Sequence, residues 1–212
     1  MLTLYAVAHS LYCAKTRIAL RHKGLAWHEL PPPGGGGSPA YRRIVVTGNL
    51  PALDHDGFVL ADSEAIAEYL EETFPAPPLL PADPAGRARQ RERSRFHDTR
   101  LEPALRGLFG LVAPDHRDPA LARQRAAALG ERLAQLALLL RAGPETGFGL
   151  GDCGLPVSFA WIDALTPVLG LEIGWPPALA DYRARLAEVP AVAAELAAYA
   201  PHVQAWIASK LG

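Results

Sequence analysis

The sequence predicts a small mixed α/β domain followed by a larger all-helical one, and three observations carry that reading. Over residues 1–75, short apolar strand candidates alternate with two helical patterns. A proline-rich stretch, PAPPLLPADP at 75–84, then interrupts the chain and marks a linker over 76–83. From 84 to 212 the periodic segments repeat their apolar residues at helical spacing.

Taken in order, LTLYAVA at 2–8 reads as a short buried strand. From Ala14 to Lys23 the pattern is helical, with Ile18 and Leu20 apolar, Lys15, Arg17, Arg21 and Lys23 polar, and Gly24 as the stop. LAWHEL at 25–30 fits a second strand. PPPGGGGSP at 31–39 cannot be regular structure, because prolines remove donors and glycines add chain entropy; it reads as a flexible surface loop. PALDHD and GFVLA are two strands hinged on the hairpin signal Asp56-Gly57. SEAIAEYLEETF follows as a helix with Ile66, Tyr69, Leu70 and Phe74 on one face. Past the linker, Leu101, Leu105, Leu108 and Val112 make one apolar stripe and Leu129, Leu133, Leu136 and Leu140 another. Further helices cover roughly 156–170, 178–188 and 191–208, separated by Gly170, Pro176-Pro177 and Pro190.

Composition narrows the function. Half the residues are hydrophobic and the formal net charge is −1, which gives no reason to expect a nucleic-acid or anionic-membrane partner. The longest apolar runs, such as LAQLALLL at 133–140, are too short to span a bilayer, and MLTLYAVAHS carries no export signal. Two cysteines, Cys13 and Cys153, make no disulfide framework, so a reducing, cytoplasmic setting is the simplest expectation. The seven histidines show no metal-ligand spacing with the acids.

The chemistry-bearing candidates are few. HSLYC at 9–13 places Ser10 three residues before Cys13, like a redox Cys-x-x-Cys whose first sulfur has become oxygen. Ser10 lacks a triad partner and an elbow motif, but at a strand end and helix start its O–H could stabilise a bound thiolate. Cys13 reads as a small buried hydrophobe or, with its pKa lowered by the helix N-terminus, as a reactive thiol. Ser63 reads as the N-cap of its helix; the same free N–H groups would also receive a carboxylate, while Asp62 beside it suits an ammonium group. Pro51 would ordinarily be trans; a cis bond would turn the Leu50 backbone outward to pair with an extended ligand. GLGDCG at 149–154 matches Gly-x-Gly-x-x-Gly but follows a leucine-rich helix and the loop GPETGFG, not a strand, so it makes no dinucleotide site. The arginines of GRARQRERSR at 86–95 spread around a helix among acids and read as a solvated or subunit-contacting surface.

Together these pieces resemble the cytosolic glutathione transferase family over nearly the whole chain. LTLYAVAHSLYCAKTRIALRHKG, NLPAL and LADSEAIAEYLEETFP are similar to its thioredoxin-like domain, and FGLGDCGLPVSFAWID and DYRARLAEVPAVAAEL to its helical domain. The resemblance implies glutathione as co-substrate. Its γ-glutamyl end would meet Asp62 and Ser63, and its cysteinyl backbone would meet Leu50 beside a cis Pro51. Ser10 falls where theta- and zeta-like members carry their catalytic serine, and Tyr12 where beta-like members carry a cysteine. Tyr12 and Cys13 are accessory candidates, and Tyr5, near the position used by tyrosine-type members, is a third for the residue facing the sulfur. The electrophile is expected against the helix holding Phe96, Arg100 and Phe109, and a twofold homodimer through the helix at 84–113.

There are departures from the family pattern. VVTG at 45–48 stands where Asn-Pro-x-Gly is common, and Leu155 and Ser158 replace the usual cap and aspartate of the central helix, at a cost of about 1 kcal/mol. The expected activity is conjugation of glutathione to a small electrophile. Glutathione-dependent isomerisation or dehalogenation is the rival on the same site, and a non-catalytic ligand- or partner-binding module the rival of another class.

Overall fold

The computed structural model describes residues 1–142 and 147–212. A four-stranded mixed sheet has the order β2-β1-β3-β4, built from β1 (Leu2–Tyr5), β2 (Trp27–Leu30), β3 (Ala52–His55) and β4 (Phe58–Ala61). β1 runs parallel to β2, and β3 runs antiparallel to both β1 and β4. The β3–β4 hairpin turns on Asp56 and Gly57, both at positive φ, as a two-residue turn requires. β1 is shorter than the 2–8 segment expected, because the chain turns at once, with Ser10 N–H bonded to Val7 C=O at 3.2 Å.

Strand alternation divides the sheet. Leu2, Leu4 and Leu53 point into the main core with Ile18 of α1 (Leu11–His22) and Ile66 and Leu70 of α3 (Ser63–Thr73). On the other face Tyr5, Ala52 and Ala61 pack with Tyr41 of the short α2 (Pro39–Arg42). The stretch at 31–39, expected to be a flexible loop, is built of bonded turns. Gly35 N–H reaches Pro32 C=O at 2.9 Å, Gly37 N–H reaches Gly48 C=O at 2.9 Å, and Ser38 caps α2. A Cβ on Gly48 would stand 2.8 Å from the Gly37 Cα, so backbone meets backbone there.

After α3 the described chain is helical: α4 (Pro84–Phe96), α5 (Glu102–Phe109), α6 (Pro119–Arg141), α7 (Leu155–Val168), α8 (Pro177–Glu188) and α9 (Pro190–Leu211). One turn of wider π pitch, His97–Leu101, joins α4 to α5 without a break. α9 packs on both α1 and α7, fastening the end of the chain to its beginning. Each predicted stripe residue except the half-buried Leu140 lies in the core.

The basic residues of α1 and its C-cap are the main departure from the sequence pattern. Lys15, Arg17 and Lys23 are buried, not solvated. Lys15 Nζ bonds Glu64 Oε2 and Asp98 Oδ2, each at 2.8 Å. Arg17 Nε bonds Glu195 Oε1 of α9 at 2.6 Å, and Lys23 Nζ bonds Glu71 Oε2 at 2.7 Å. α1 is the axle of the molecule, and its cations bind it to three neighbours.

GLGDCG has a packing role. Gly149 and Gly151 lie against Gln90 of α4, and Gly154 lies against the His97 ring. Asp152 is buried and accepts from Gly149 N–H at 2.8 Å, from Tyr182 O–H and from Arg93. Residues 143–146 of the preceding GPETGFG loop lie outside the described residues. No side chain caps α7 at Gly154, but Pro156 needs no partner for a missing N–H, and Ser158 bonds His97 Nε2 at 2.8 Å. A Cβ at Gly154 would run into the His97 ring. Gly154→Ala is therefore expected to cost about 1–3 kcal/mol through overpacking, read as a lower urea midpoint at unchanged m.

Candidate active site

A cleft of about 440 Å³ separates the sheet side of the molecule from α4. Tyr12 of α1, Asn49 and Leu50 before β3, and Asp62 and Ser63 at the start of α3 line one side. Arg95, Asp98 and Thr99 line the other. Four of the residues singled out from sequence thus meet in one place.

Asp62, not Ser63, is the N-cap of α3. Its Oδ1 accepts from Glu64 N–H at 2.9 Å and Ala65 N–H at 3.1 Å, so Oδ2 keeps its full accepting capacity. The backbone of Asp62 stands at φ +84°, a conformation costing about 1–3 kcal/mol in a residue with a Cβ, and such strain clusters at functional sites. Ser63 becomes the first helical residue, where its N–H is one of the orphan donors of the helix end. A negative charge here is favoured by those N–H groups, and a positive one by Asp62. The Leu50–Pro51 bond is cis. Pro51 is buried while Leu50 faces the cleft.

Ser10 is the N-cap of α1, which moves the helix start three residues ahead of the Ala14 expected. Its Oγ accepts from Cys13 N–H at 3.3 Å, a role that leaves the hydroxyl hydrogen free to donate. Ser10 is not one of the residues lining the cleft; it stands two residues before Tyr12, which is. Tyr12 is otherwise engaged, since its O–H donates to Glu102 Oε2 at 3.0 Å. Burial, and then the Glu102 and Asp98 carboxylates, push the Tyr12 phenol well above its ordinary pKa. Cys13, offered as an accessory thiol, is fully buried, and burial pushes its pKa up against the opposing Ser10 and Val7 hydrogen bonds. Burial therefore favours the small-hydrophobe reading of Cys13 over the reactive thiol, because it is the thiolate that reacts. Tyr5 lies on the α2 face of the sheet with its ring 5.8 Å from Tyr41.

The far wall rests on a buried polar chain. Ser158 bonds His97 Nε2, His97 Nδ1 bonds Asp98 Oδ1 at 2.7 Å, and Lys15 bridges Asp98 to Glu64, beside Ser63. Burial opposes the Lys15 charge, but Asp98 and Glu64 outweigh it and raise the pKa. Asp98 likewise sits below the usual carboxylate range: burial pulls it up, and His97 and Lys15 more than offset that. Sequence reading missed Arg95, Asp98 and Thr99, although their spacing of three and four is that of one helix face.

The electrophile candidates separate. Phe96 is half-buried against the core and Arg100 is exposed, and neither they nor Phe109 line the cleft. Phe109 stacks 4.7 Å from Trp161 and 5.2 Å from Trp206, with Arg106 over its ring at 5.6 Å. Two arginines of α4 anchor it: Arg91 grips Glu68 with two bonds and Arg93 pairs with Asp152. Among the described residues no helix is long and apolar enough to cross a membrane, and no three His, Cys, Asp or Glu side chains gather as a metal site would need.

This arrangement has known counterparts. A family model for the glutathione S-transferase N-terminal domain matches residues 4–78. The maleylacetoacetate isomerase of Pseudomonas aeruginosa is 44% identical over 94 residues, which are 42% of this chain and 44% of the isomerase, so the match spans under half of that relative. The zeta-class glutathione S-transferase of Euphorbia esula is 32% identical over 159 residues, 71% of this chain and 68% of that one. Among solved structures, a theta-class glutathione S-transferase from Xanthomonas axonopodis pv. citri with glutathione bound superposes with a TM-score of 0.77 at 28% identity, covering 92% of this chain and 96% of that one. With 32% identity sustained over more than two thirds of both chains and the N-terminal family model matched, the chain belongs to the glutathione S-transferase family.

Proposed function

We propose that this chain binds glutathione in the cleft, keeps its sulfur as thiolate beside Ser10, and directs it at a small electrophile. The observation that carries the reading is the cleft's own composition. One wall joins the N-terminus of α3, with Asp62 and Ser63, to the Leu50 backbone and to the helix that Ser10 caps. A ligand with ammonium and carboxylate at one end and an extended peptide unit bearing a thiol in its middle matches those groups in order. The Ser10 hydroxyl donates to the thiolate, with the N-terminus of α1 behind it, and lowers the thiol pKa from its ordinary value of about 8.5. No covalent bond to the protein is needed; proximity and thiolate formation supply the rate. Phe109 and its aromatic neighbours suit the apolar part of the electrophile. The division at 1–75, 76–83 and 84–212, a cytoplasmic location and a twofold homodimer belong to the same proposal.

Glutathione-dependent isomerisation is the second reading, favoured by the 44% identity to an isomerase over 94 residues. The two separate by mass balance, since conjugation consumes glutathione and isomerisation returns it. The binding site is tested by Asp62→Asn, which keeps an oxygen for the cap but removes the charge. Calorimetric titration is expected to show glutathione affinity lower by roughly tenfold or more, the scale of a hydrogen bond to a charged group, with the melting temperature held. An unchanged affinity would remove Asp62 from the site.

A further inference from the structure

The loop that delivers Ser10 is held from the opposite end of the chain. Tyr199 of α9, buried to 1% exposure, donates its hydroxyl hydrogen to the His9 carbonyl at 2.6 Å. Trp161 of α7 donates its indole N–H to the same Tyr199 oxygen at 2.8 Å. An indole N–H can only donate, so the Tyr199 oxygen accepts there and its single hydrogen is left for His9. Trp161 is itself fixed, with the rings of Phe109 and Trp206 packed at 4.7 and 5.2 Å. The direction of the chain Trp161 to Tyr199 to His9 is therefore set by chemistry and not by choice of rotor.

Its effect falls on one peptide plane. The His9 oxygen is taken by Tyr199, while the Ser10 nitrogen of the same peptide donates to Val7 C=O at 3.2 Å. A planar unit pinned at both its oxygen and its nitrogen cannot rotate about its neighbours. The preceding Ala8 carbonyl accepts from Arg17 Nη2 at 3.2 Å, and Arg17 is tied to Glu195, also on α9. Beyond the plane, the Ser10 carbonyl accepts from Ala14 N–H at 3.0 Å and its Oγ from Cys13 N–H. Neither bond uses the hydroxyl hydrogen of Ser10, since in both an oxygen of Ser10 accepts.

We infer that Tyr199 is a positioning residue for Ser10: through the His9 carbonyl it fixes the peptide plane from which the Ser10 hydroxyl is aimed at the sulfur. This rests on Ser10 facing the thiolate. Tyr199 touches no reacting atom and lies 189 positions from Ser10, so its role comes from α9 docking on α1.

The test compares Tyr199→Phe, Ser10→Ala and the double variant in the full chain, using the ultraviolet thiolate signal of bound glutathione across pH. Tyr199→Phe keeps the ring and removes the donor. It is expected to raise the thiol pKa by about one unit and to lower kcat/KM about tenfold, the effect of loosened aim. Glutathione affinity stays within twofold, because Asp62, Ser63 and Leu50 are untouched. In the Ser10→Ala background the same change is expected to move the thiol pKa no further. A purely structural role for Tyr199 would instead lower the melting temperature and affinity alike with and without Ser10, and that result overturns the inference. So does an unmoved pKa in Tyr199→Phe while Ser10→Ala shifts it. If Ser10→Ala shifts nothing, the Ser10 assignment itself falls and the inference with it. Should Tyr199→Phe not fold, Trp161→Phe/Tyr199→Phe, which leaves no orphaned indole N–H, carries the same comparison.

Discussion

Ser10→Ala is expected to return the thiol of bound glutathione toward its ordinary pKa of about 8.5 and to lower kcat/KM by roughly ten- to a hundredfold at neutral pH. The scale is that of one hydrogen bond to a charged group, about 1.5–3 kcal/mol, with tenfold in rate for each 1.4 kcal/mol lost. Glutathione affinity should hardly change, because in the proposed site the far end of the ligand rests on Asp62 and Ser63. Ser10 also caps α1, so alanine removes a second interaction worth about 1 kcal/mol of stability. Glycine separates the two effects, since a glycine cap costs only a few tenths of that. Ser10→Gly should therefore match alanine in lost thiolate and come closer to the parent in melting temperature. A variant that still forms the thiolate near neutral pH would show that another donor faces the sulfur. Tyr12 is poorly placed for that task with its hydrogen given to Glu102.

The largest loss of stability is expected from Lys15→Met. The side chain volume survives, but the Glu64 and Asp98 carboxylates lose the cation between them, leaving two charges facing each other in a dry site. Breaking a buried pair from one side costs about 3–5 kcal/mol, which should appear as a large drop in the urea midpoint. The pH dependence has a definite sign. Asp98 is depressed below 3.8 in the folded chain, so its contribution is present above that pH and lost as the pH falls through the folded value. Lys15 is raised above 10.5, so its contribution is complete below that pH and lost as the pH rises through the folded value. In Lys15→Met the carboxyl of Asp98 loses one of the groups holding it down, and acid unfolding should begin at a higher pH than in the parent. Coincident acid transitions would argue that His97 alone holds Asp98.

Much of the site was legible because its pieces are local. An Asp-Ser pair before an apolar-periodic helix marks a helix N-terminus wherever it occurs, though the structure gives the cap to Asp62 and the first helical place to Ser63. Ser10 at the end of a strand and before a helix was equally plain, and its capping bond spans only three residues. The other wall was not legible. Phe96 and Arg100 looked suitable by residue type, but within the π-pitched turn at His97–Leu101 it is Asp98 and Thr99 that meet the cleft, beside Arg95 from the end of α4.

The sequence by itself determined the elements and their kinds: period-two strands, period-3.6 helices, the Asp56-Gly57 hairpin and the breaks at Pro176-Pro177 and Pro190. Each depends on backbone preferences and on neighbours a few residues away, which a linear pattern records directly. Tertiary structure alone decided where the charges of α1 go. Lys15, Arg17 and Lys23 read in sequence only as polar positions of a helix, yet their partners lie 49, 83, 178 and 48 positions away, at Glu64, Asp98, Glu195 and Glu71. A lysine in water and a lysine riveting two helices are the same letter. They differ only in the carboxylates that folding brings within 3 Å, and in the water it removes.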